Sequence, residues 1–346
     1  MRAIYFEKHG GPEVLEFGVL DDPCAGRGEV LIEVKATSLN HLDLFVRRGL
    51  PGIEIPLPHV PGCDASGVVA DIGVGVTDFV VGDRVLVNPS LACGWCEYCI
   101  RGDASLCRSF GVIGEHRWGA CAERLVVPQE NVIKIPDTMS YDDAAAVPMV
   151  FVTAWRMLIT RGELRASEDI LIMGAAAGVG MACIQIAKIS GARVFAAAGS
   201  AEKLELCRRL GADVLIDYRQ EDVLQKIRRE TSGRGVDVCV DYVGKDTWIT
   251  SLRTLTKGGR LLTCGATTGY DPQTDLRHIF YRQLKVIGST TGTRNDLLAA
   301  LKLIFAGKMK PAIGQVFDLE RTADAHRLME ARKVVGKVVI RLGDER

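Results

Sequence analysis

The chain has 346 residues, 47% of them hydrophobic and 25% charged, with 43 Lys and Arg against 43 Asp and Glu. Length alone suggests about two domains, and the composition is that of a globular protein, not a disordered one. Zero formal net charge supplies no long-range field for gripping a phosphate backbone. Nucleic-acid binding is therefore not expected, and small molecules are the expected partners.

No membrane association is expected either. The longest apolar stretch, Ala144 to Trp155, is too short to span a bilayer and is interrupted by Pro148 and Thr153. The opening MRAIYFEKHG carries neither an apolar signal core nor a lipidation box. The chain holds 11 cysteines, an odd number, and four of them crowd between Cys93 and Cys107. Such usage points to a metal site in a reducing compartment, with the cytoplasm as the expected location.

In chain order, residues 1–149 read as β-rich. Short alternating runs (RAIYF, VLEFGVL, EVLIEVKAT, SGVVADIG, DRVLVN, ERLVV) are separated by Gly, Pro and Asp clusters. One helix interrupts them from about Asn40 to Arg48, with Asn40 placed to cap it and Gly49 to stop it. Within this region lies Cys93-x-x-Cys96-x-x-Cys99-x(7)-Cys107. Four thiolates so close in a turn-rich lobe suit a closed tetrahedral zinc site, whose role is to fold the lobe. Iron–sulfur ligation is the chemical alternative.

From about residue 150 to 291 the rhythm changes. The strand candidates DILIM, RVFAAA, DVLIDY, VDVCVDYV, RLLTCG and LKVIGS alternate with helical stretches. Apolar strands joined by helical crossovers indicate an α/β fold with a doubly wound parallel sheet. Residues 292–346 hold two helical stretches and a closing strand, GKVVIRL, expected to rejoin the first domain.

DILIM runs into Gly174-Ala-Ala-Ala-Gly178-Val-Gly180 and then a helix. This is a variant of the glycine-rich turn that brings backbone N–H groups to a pyrophosphate, with Ala177, Gly178, Val179 and Gly180 opening the helix. Ala175 and Ala177 stand where two glycines of the G-x-G-x-x-G pattern would be. NAD sites carry an acid near the end of the next strand, on the ribose diol. Here that strand ends Ala-Gly199-Ser200-Ala-Glu202-Lys203, with no acid at its tip. Ser200 and Lys203 suit a 2′-phosphate, and Glu202 suits the first turn of a helix. NADP(H) is the expected cofactor, ahead of NAD(H).

These features together resemble the medium-chain dehydrogenase/reductase superfamily, which includes zinc alcohol dehydrogenases and quinone reductases. The motifs are Ser38-Leu-Asn-His-Leu-Asp43, His59-Val-Pro-Gly-Cys-Asp64, the four-cysteine lobe, Phe151-Val-Thr-Ala-Trp155, AAAGVG and Gly336-Lys-Val-Val. The resemblance covers essentially the whole chain. It implies a GroES-like catalytic domain, a Rossmann cofactor domain, a structural zinc on Cys93, Cys96, Cys99 and Cys107, and a homodimer or homotetramer formed along LKVIGSTTG.

The departures from that family carry the functional expectation. The positions that hold a catalytic zinc in its alcohol dehydrogenases align with Asn40, Cys63 and Met149, and one strong ligand in three remains. The proton-relay hydroxyl and histidine align with Leu42 and Phe45. Reducing an isolated ketone benefits greatly from a Lewis acid. Hydride addition to an enone, quinone or enoyl thioester spreads its charge, so a few hydrogen-bond donors suffice. The expected function is an NADP(H)-dependent reductase of activated C=C bonds or quinones. An alcohol dehydrogenase using a metal on Cys63 and Asp64 is the alternative, and a nucleotide-binding protein without turnover is a third reading.

The resemblance also assigns expected roles. Asn40 donates to the substrate oxygen or caps its helix. Asp43 and Asp64, beside His41 and His59, bind metal or shape the cleft through hydrogen bonds. Thr153 sits beside the nicotinamide, and His41 contacts the pyrophosphate or lies at the surface. Tyr218 stacks on the adenosine or bonds the 2′-phosphate. Asp241-Tyr-Val243-Gly244, Gly265 and Ala266 line the cofactor cleft through backbone, and Cys63 and Trp118 line the substrate pocket or pack in the core.

Overall fold

A computed structural model of the chain describes residues 1–343. It divides into two compact units, Met1–Met149 with the stretch from Thr293 onward, and Val150–Gly292.

In the first unit, the long strand Glu29–Leu39 organises a seven-stranded sheet. It pairs antiparallel with Asp64–Ile72, Arg124–Pro128 and, from the far end of the chain, Lys337–Arg341. Alternating Val, Ile and Leu side chains from these strands form the core, among them Val30, Ile32, Val34, Val69, Val85, Leu125 and Ile340. The β-rich expectation holds strand by strand. Ile313–Asp318, parallel to Lys337–Arg341, was not anticipated: its residues are mostly exposed, so the sequence carries no alternating apolar signal.

The helix His41–Arg48 starts and stops as its sequence predicts. Asn40 is the N-cap residue, with the Asp43 carboxylate turned back to accept from the Asn40 N–H at 2.6 Å. Gly49, at φ +91, ends it. The strand before this helix ends at Leu39, so Asn40 and His41 sit at a strand-to-helix corner.

The second unit is a six-stranded sheet in the order Val214–Asp217, Arg193–Ala198, Asp169–Met173, Val236–Val240, Leu255–Thr263, Lys285–Gly288, parallel throughout. Its central strands are buried almost end to end, as helices on both faces require. Lys285–Gly288 at the edge is mostly exposed. Strand order reverses between Asp169–Met173 and Val236–Val240, the switch point outside which open α/β sheets bind ligands. The loops leaving those two strands are 174–177 and 241–247.

Candidate functional site

The four cysteines of the lobe meet as a tetrahedron. Sγ separations are 3.9 Å for Cys93–Cys99, 3.6 Å for Cys96–Cys99 and 3.9 Å for Cys96–Cys107. Thiolates 2.3 Å from a central zinc stand about 3.8 Å apart, so the donor set fits that ion. Backbone N–H groups point at the sulfurs: Cys93 N at Cys107 Sγ (3.2 Å), Cys96 N at Cys93 Sγ (3.4 Å) and Ser109 N at Cys107 Sγ (3.3 Å). Such donors stabilise thiolate, and those of Arg108 and Cys99 hold Cys96 down to about 6. Among the described residues, these cysteines are the one cluster of three or more His, Cys, Asp or Glu groups able to hold a metal.

In the second unit, the turn after Asp169–Met173 begins with Gly174 at φ +67 and delivers the chain to the helix Gly178–Ile189. Ala177 is the N-cap residue and offers no side-chain acceptor, which leaves the first-turn N–H groups for an anion. A Cβ on Gly180 would stand 2.6 Å from Ala175 O, so only glycine allows this approach. The loop therefore fits a dinucleotide pyrophosphate.

The strand Arg193–Ala198 ends without an acid, and Ser200 caps the next helix, its Oγ accepting from Lys203 N at 3.4 Å. Tyr218 packs against Gly199, where a Cβ would lie 2.5 Å from the Tyr218 Oη. An acid on the neighbouring strand, Asp217, pairs with Ala198 across the sheet, and its carboxylate accepts from Arg219 N and Gln220 Nε2, both at 3.0 Å. On the neighbouring loop, Val243 donates its N–H to Asp241 Oδ1 at 2.9 Å and accepts at its carbonyl from Thr268 N. Gly265 and Ala266 follow the strand Leu255–Thr263, with Gly265 exposed. Thr153 is buried in the helix Pro148–Trp155.

Asn40, Asp43, Cys63 and Asp64, scattered over 25 positions, come together in the first unit around a residue to which the sequence reading gave no role. This is Lys337, fully buried on the returning strand. Its ammonium donates to Leu39 O (2.9 Å), Asn40 Oδ1 (2.8 Å) and Asp64 Oδ2 (3.2 Å), which satisfies all three protons. An ammonium can only donate, so the atom of Asn40 facing it must be the carbonyl oxygen. The amide nitrogen then points the other way, at Asp64 Oδ2 (2.8 Å) and Cys63 Sγ (3.2 Å).

The expected donation from Asn40 to a substrate oxygen is corrected by this geometry, because both amide protons are already committed. Both acids accept hydrogen bonds from backbone and neighbouring side chains. Asp64 Oδ1 accepts from Met149 N at 2.8 Å, at the start of the helix Pro148–Trp155. Ser38 Oγ lies 2.8 Å from Asp64 Oδ2 and 2.9 Å from Ala145 O, its single proton shared between them. Asp43 accepts from Asn40 N and Gly62 N, and burial pushes its carboxyl up to about 7. Burial, with Asp43 and Asp64 nearby, raises the Cys63 thiol well above its usual value and keeps it neutral.

Cys63 packs with Val112, Met149, Leu42 and Phe110 in an apolar cluster. Trp118 is part-buried, its indole donating to Pro58 O at 2.9 Å. His41 is exposed at the first helical position, its pKa lowered by desolvation and then by Lys337, Arg332 and Arg48. That cationic surrounding suits an anion.

Residues 26–137 match the family model described as the alcohol dehydrogenase GroES-like domain, and residues 178–306 match that of the zinc-binding dehydrogenases. An alcohol dehydrogenase of Geobacillus stearothermophilus is 33% identical over 99% of this chain and 100% of its own. The chain belongs to the medium-chain dehydrogenase/reductase superfamily. It is accordingly an oxidoreductase with a GroES-like and a Rossmann domain. Two further members are similar over nearly the whole chain. A solved structure titled NAD-dependent alcohol dehydrogenase is 44% identical, with a TM-score of 0.96 over 99% of this chain and 100% of that one. The acryloyl-coenzyme A reductase of Metallosphaera sedula is 32% identical over 98% of this chain and 99% of its own.

Against the medium-chain dehydrogenase pattern, the donor set at Asn40, Cys63 and Met149 does not suit a second dication. It consists of an amide, a thiol and a thioether, beside a buried ammonium. Lys337 was legible as part of the Gly336-Lys-Val-Val motif, but nothing in that motif says which buried groups its ammonium meets.

Proposed function

We propose that this oxidoreductase is an NADP(H)-dependent reductase of activated C=C bonds or quinones, with zinc in a structural role only. The observation carrying the reading is the Lys337 ammonium, hydrogen-bonded to Asn40 and Asp64. The ammonium occupies Asn40 Oδ1, and the Asp64 carboxylate already receives this ammonium with backbone and side-chain donors, so neither group is left free to hold a dication. Without a Lewis acid, an acceptor that delocalises its developing charge is favoured. The likeness to an acryloyl-coenzyme A reductase supports this substrate class.

A bound reduced nicotinamide would supply a hydride to carbon of a conjugated acceptor, with solvent or a weak donor finishing protonation. The chain binds and orients. First-turn N–H groups of Gly178, Val179 and Gly180 hold the pyrophosphate. Ser200, Lys203 and Tyr218 hold the 2′-phosphate, and the backbone at Val243, Gly265 and Ala266 lines the cofactor. Thr153 lies beside the nicotinamide. The acids Asp43 and Asp64 keep backbone corners in place and pass no proton.

NADPH oxidation assayed across quinones, enones, enoyl-CoAs and simple alcohols or aldehydes, with zinc counted in the same preparation, tests the reading. Turnover of conjugated acceptors with one zinc per subunit is expected. A second reading, a metal-dependent alcohol dehydrogenase, is favoured by the 44% identical relative. Two zincs per subunit with alcohol turnover would establish it instead, and Cys63→Ser would then abolish activity. Tight NADPH binding without any turnover would leave a nucleotide-binding protein.

For the cofactor, Lys203→Ala is expected to cost about 1.5–3 kcal/mol of NADPH affinity and leave NADH unchanged, through loss of a charge-assisted contact. Equal affinities for the two cofactors in the unaltered protein would refute the assignment. We also infer that a second copy pairs along Lys285–Gly288, whose exposed edge otherwise presents unpaired backbone groups. A strict monomer on sizing would count against that.

A further inference from the structure

Tyr242 stands outside the glycine-rich loop in sequence but inside it in space. It follows the strand Val236–Val240, which lies next to Asp169–Met173 in the sheet. Its hydroxyl donates to Gly174 O at 2.7 Å, the carbonyl of the positive-φ residue that opens the loop. The same oxygen lies 2.5 Å from where a Gly180 Cβ would stand and 3.5 Å from where a Gly174 Cβ would stand. The phenol thus occupies the notch between the first and the last glycine of the loop.

Tyr242 is held there from below. The fully buried Asp241 carboxylate accepts from Val243 N (2.9 Å), Gly244 N (3.1 Å), Thr247 Oγ1 (2.8 Å) and Ser251 Oγ (2.6 Å). These bonds pin the segment on both sides of the ring. Burial also raises the phenol pKa well above its usual value, so the hydroxyl stays a donor.

A loop that receives an anion must present N–H groups outward and keep carbonyl oxygens turned away. Gly174 O accepts from Ala177 N at 3.0 Å as well as from Tyr242, which ties that carbonyl inward. We propose that Tyr242 is a positioning residue for the nicotinamide cofactor: its hydroxyl fastens the Gly174 carbonyl and thereby aims the first-turn N–H groups at the pyrophosphate. The inference rests on reading this loop as the cofactor site and is independent of the substrate class and of the choice between NADPH and NADH.

Tyr242→Phe keeps the ring volume and deletes the bond. Cofactor fluorescence titration is expected to show binding of NADPH and NADH weakened alike, by about 5- to 10-fold, the scale of one net hydrogen bond. Turnover at saturating cofactor is expected to stay within about twofold, and the thermal midpoint to stay near that of the parent. Gly180→Ala is expected to weaken binding more, and the double variant less than the product of the two, since both act on one notch. Unchanged affinity in Tyr242→Phe overturns the proposal, and so do fully additive effects. A loss shared by both cofactors is distinct from the NADPH-only loss in Lys203→Ala, so the two readings fail separately.

Discussion

Removing zinc with a chelator, or replacing Cys96 with Ser, is expected to open the lobe between Cys93 and Cys107. Its regular structure amounts to the four-residue helix Glu97–Ile100 and a single turn at Ala104–Leu106. Trp95, Ile100 and Leu106 are exposed, so the lobe has little apolar core of its own. What remains to hold it is the sulfur tetrahedron, and structural zinc contributes about 10–16 kcal/mol of apparent binding free energy in small metallo-domains. Limited proteolysis is the measurement: new cleavage between Cys93 and Cys107 is expected, with the unit Val150–Gly292 still protected. Unchanged resistance after verified metal loss would show that packing, not metal, folds the lobe.

Lys337→Met should lower stability by about 3–5 kcal/mol, because it strands a buried carboxylate without its counter-ion. Asp64 is fully buried and its Oδ2 faces Lys337, Asn40 and Ser38. Adding Asp64→Asn removes the stranded charge, so the double variant should recover part of the loss. Denaturant unfolding of the two single variants and the pair measures the coupling. A loss under about 1 kcal/mol for Lys337→Met, the scale of an exposed pair, would mean that this ammonium does not hold the cluster.

The two cases differ in how far the residues announced themselves. The four-cysteine cluster was legible because all four thiols fall within 15 consecutive residues, so their spacing alone brings the sulfurs together. The glycine loop was legible for the same reason: strand, turn and helix follow one another without a break. The helix His41–Arg48 carried both of its end signals locally. The partners of Lys337 did not announce themselves. Lys337 reaches Asn40 across 297 positions, and only the antiparallel pairing of Val338 with Leu39 brings it there. Tyr242 was read as part of a cofactor-lining segment. Its bond to Gly174 depends on two non-consecutive strands lying side by side.

Asn40 marks the limit of sequence reading most clearly. Its position at a strand-to-helix corner, and the loss of a metal ligand there, were visible in the amino acids. The direction of its amide was not. That direction follows from the Lys337 ammonium, the Asp64 carboxylate and the Cys63 thiol, three groups from two other segments of the chain.

By itself, the order of residues determined the alternation of strands and helices and the cluster of four cysteines, because each is a local pattern of side-chain period or spacing, while its motifs carried the resemblance to the superfamily. Tertiary structure alone decided which groups surround Asn40. A hydrogen bond has a direction and a buried charge needs a partner, and here those partners are supplied by chain segments hundreds of residues apart.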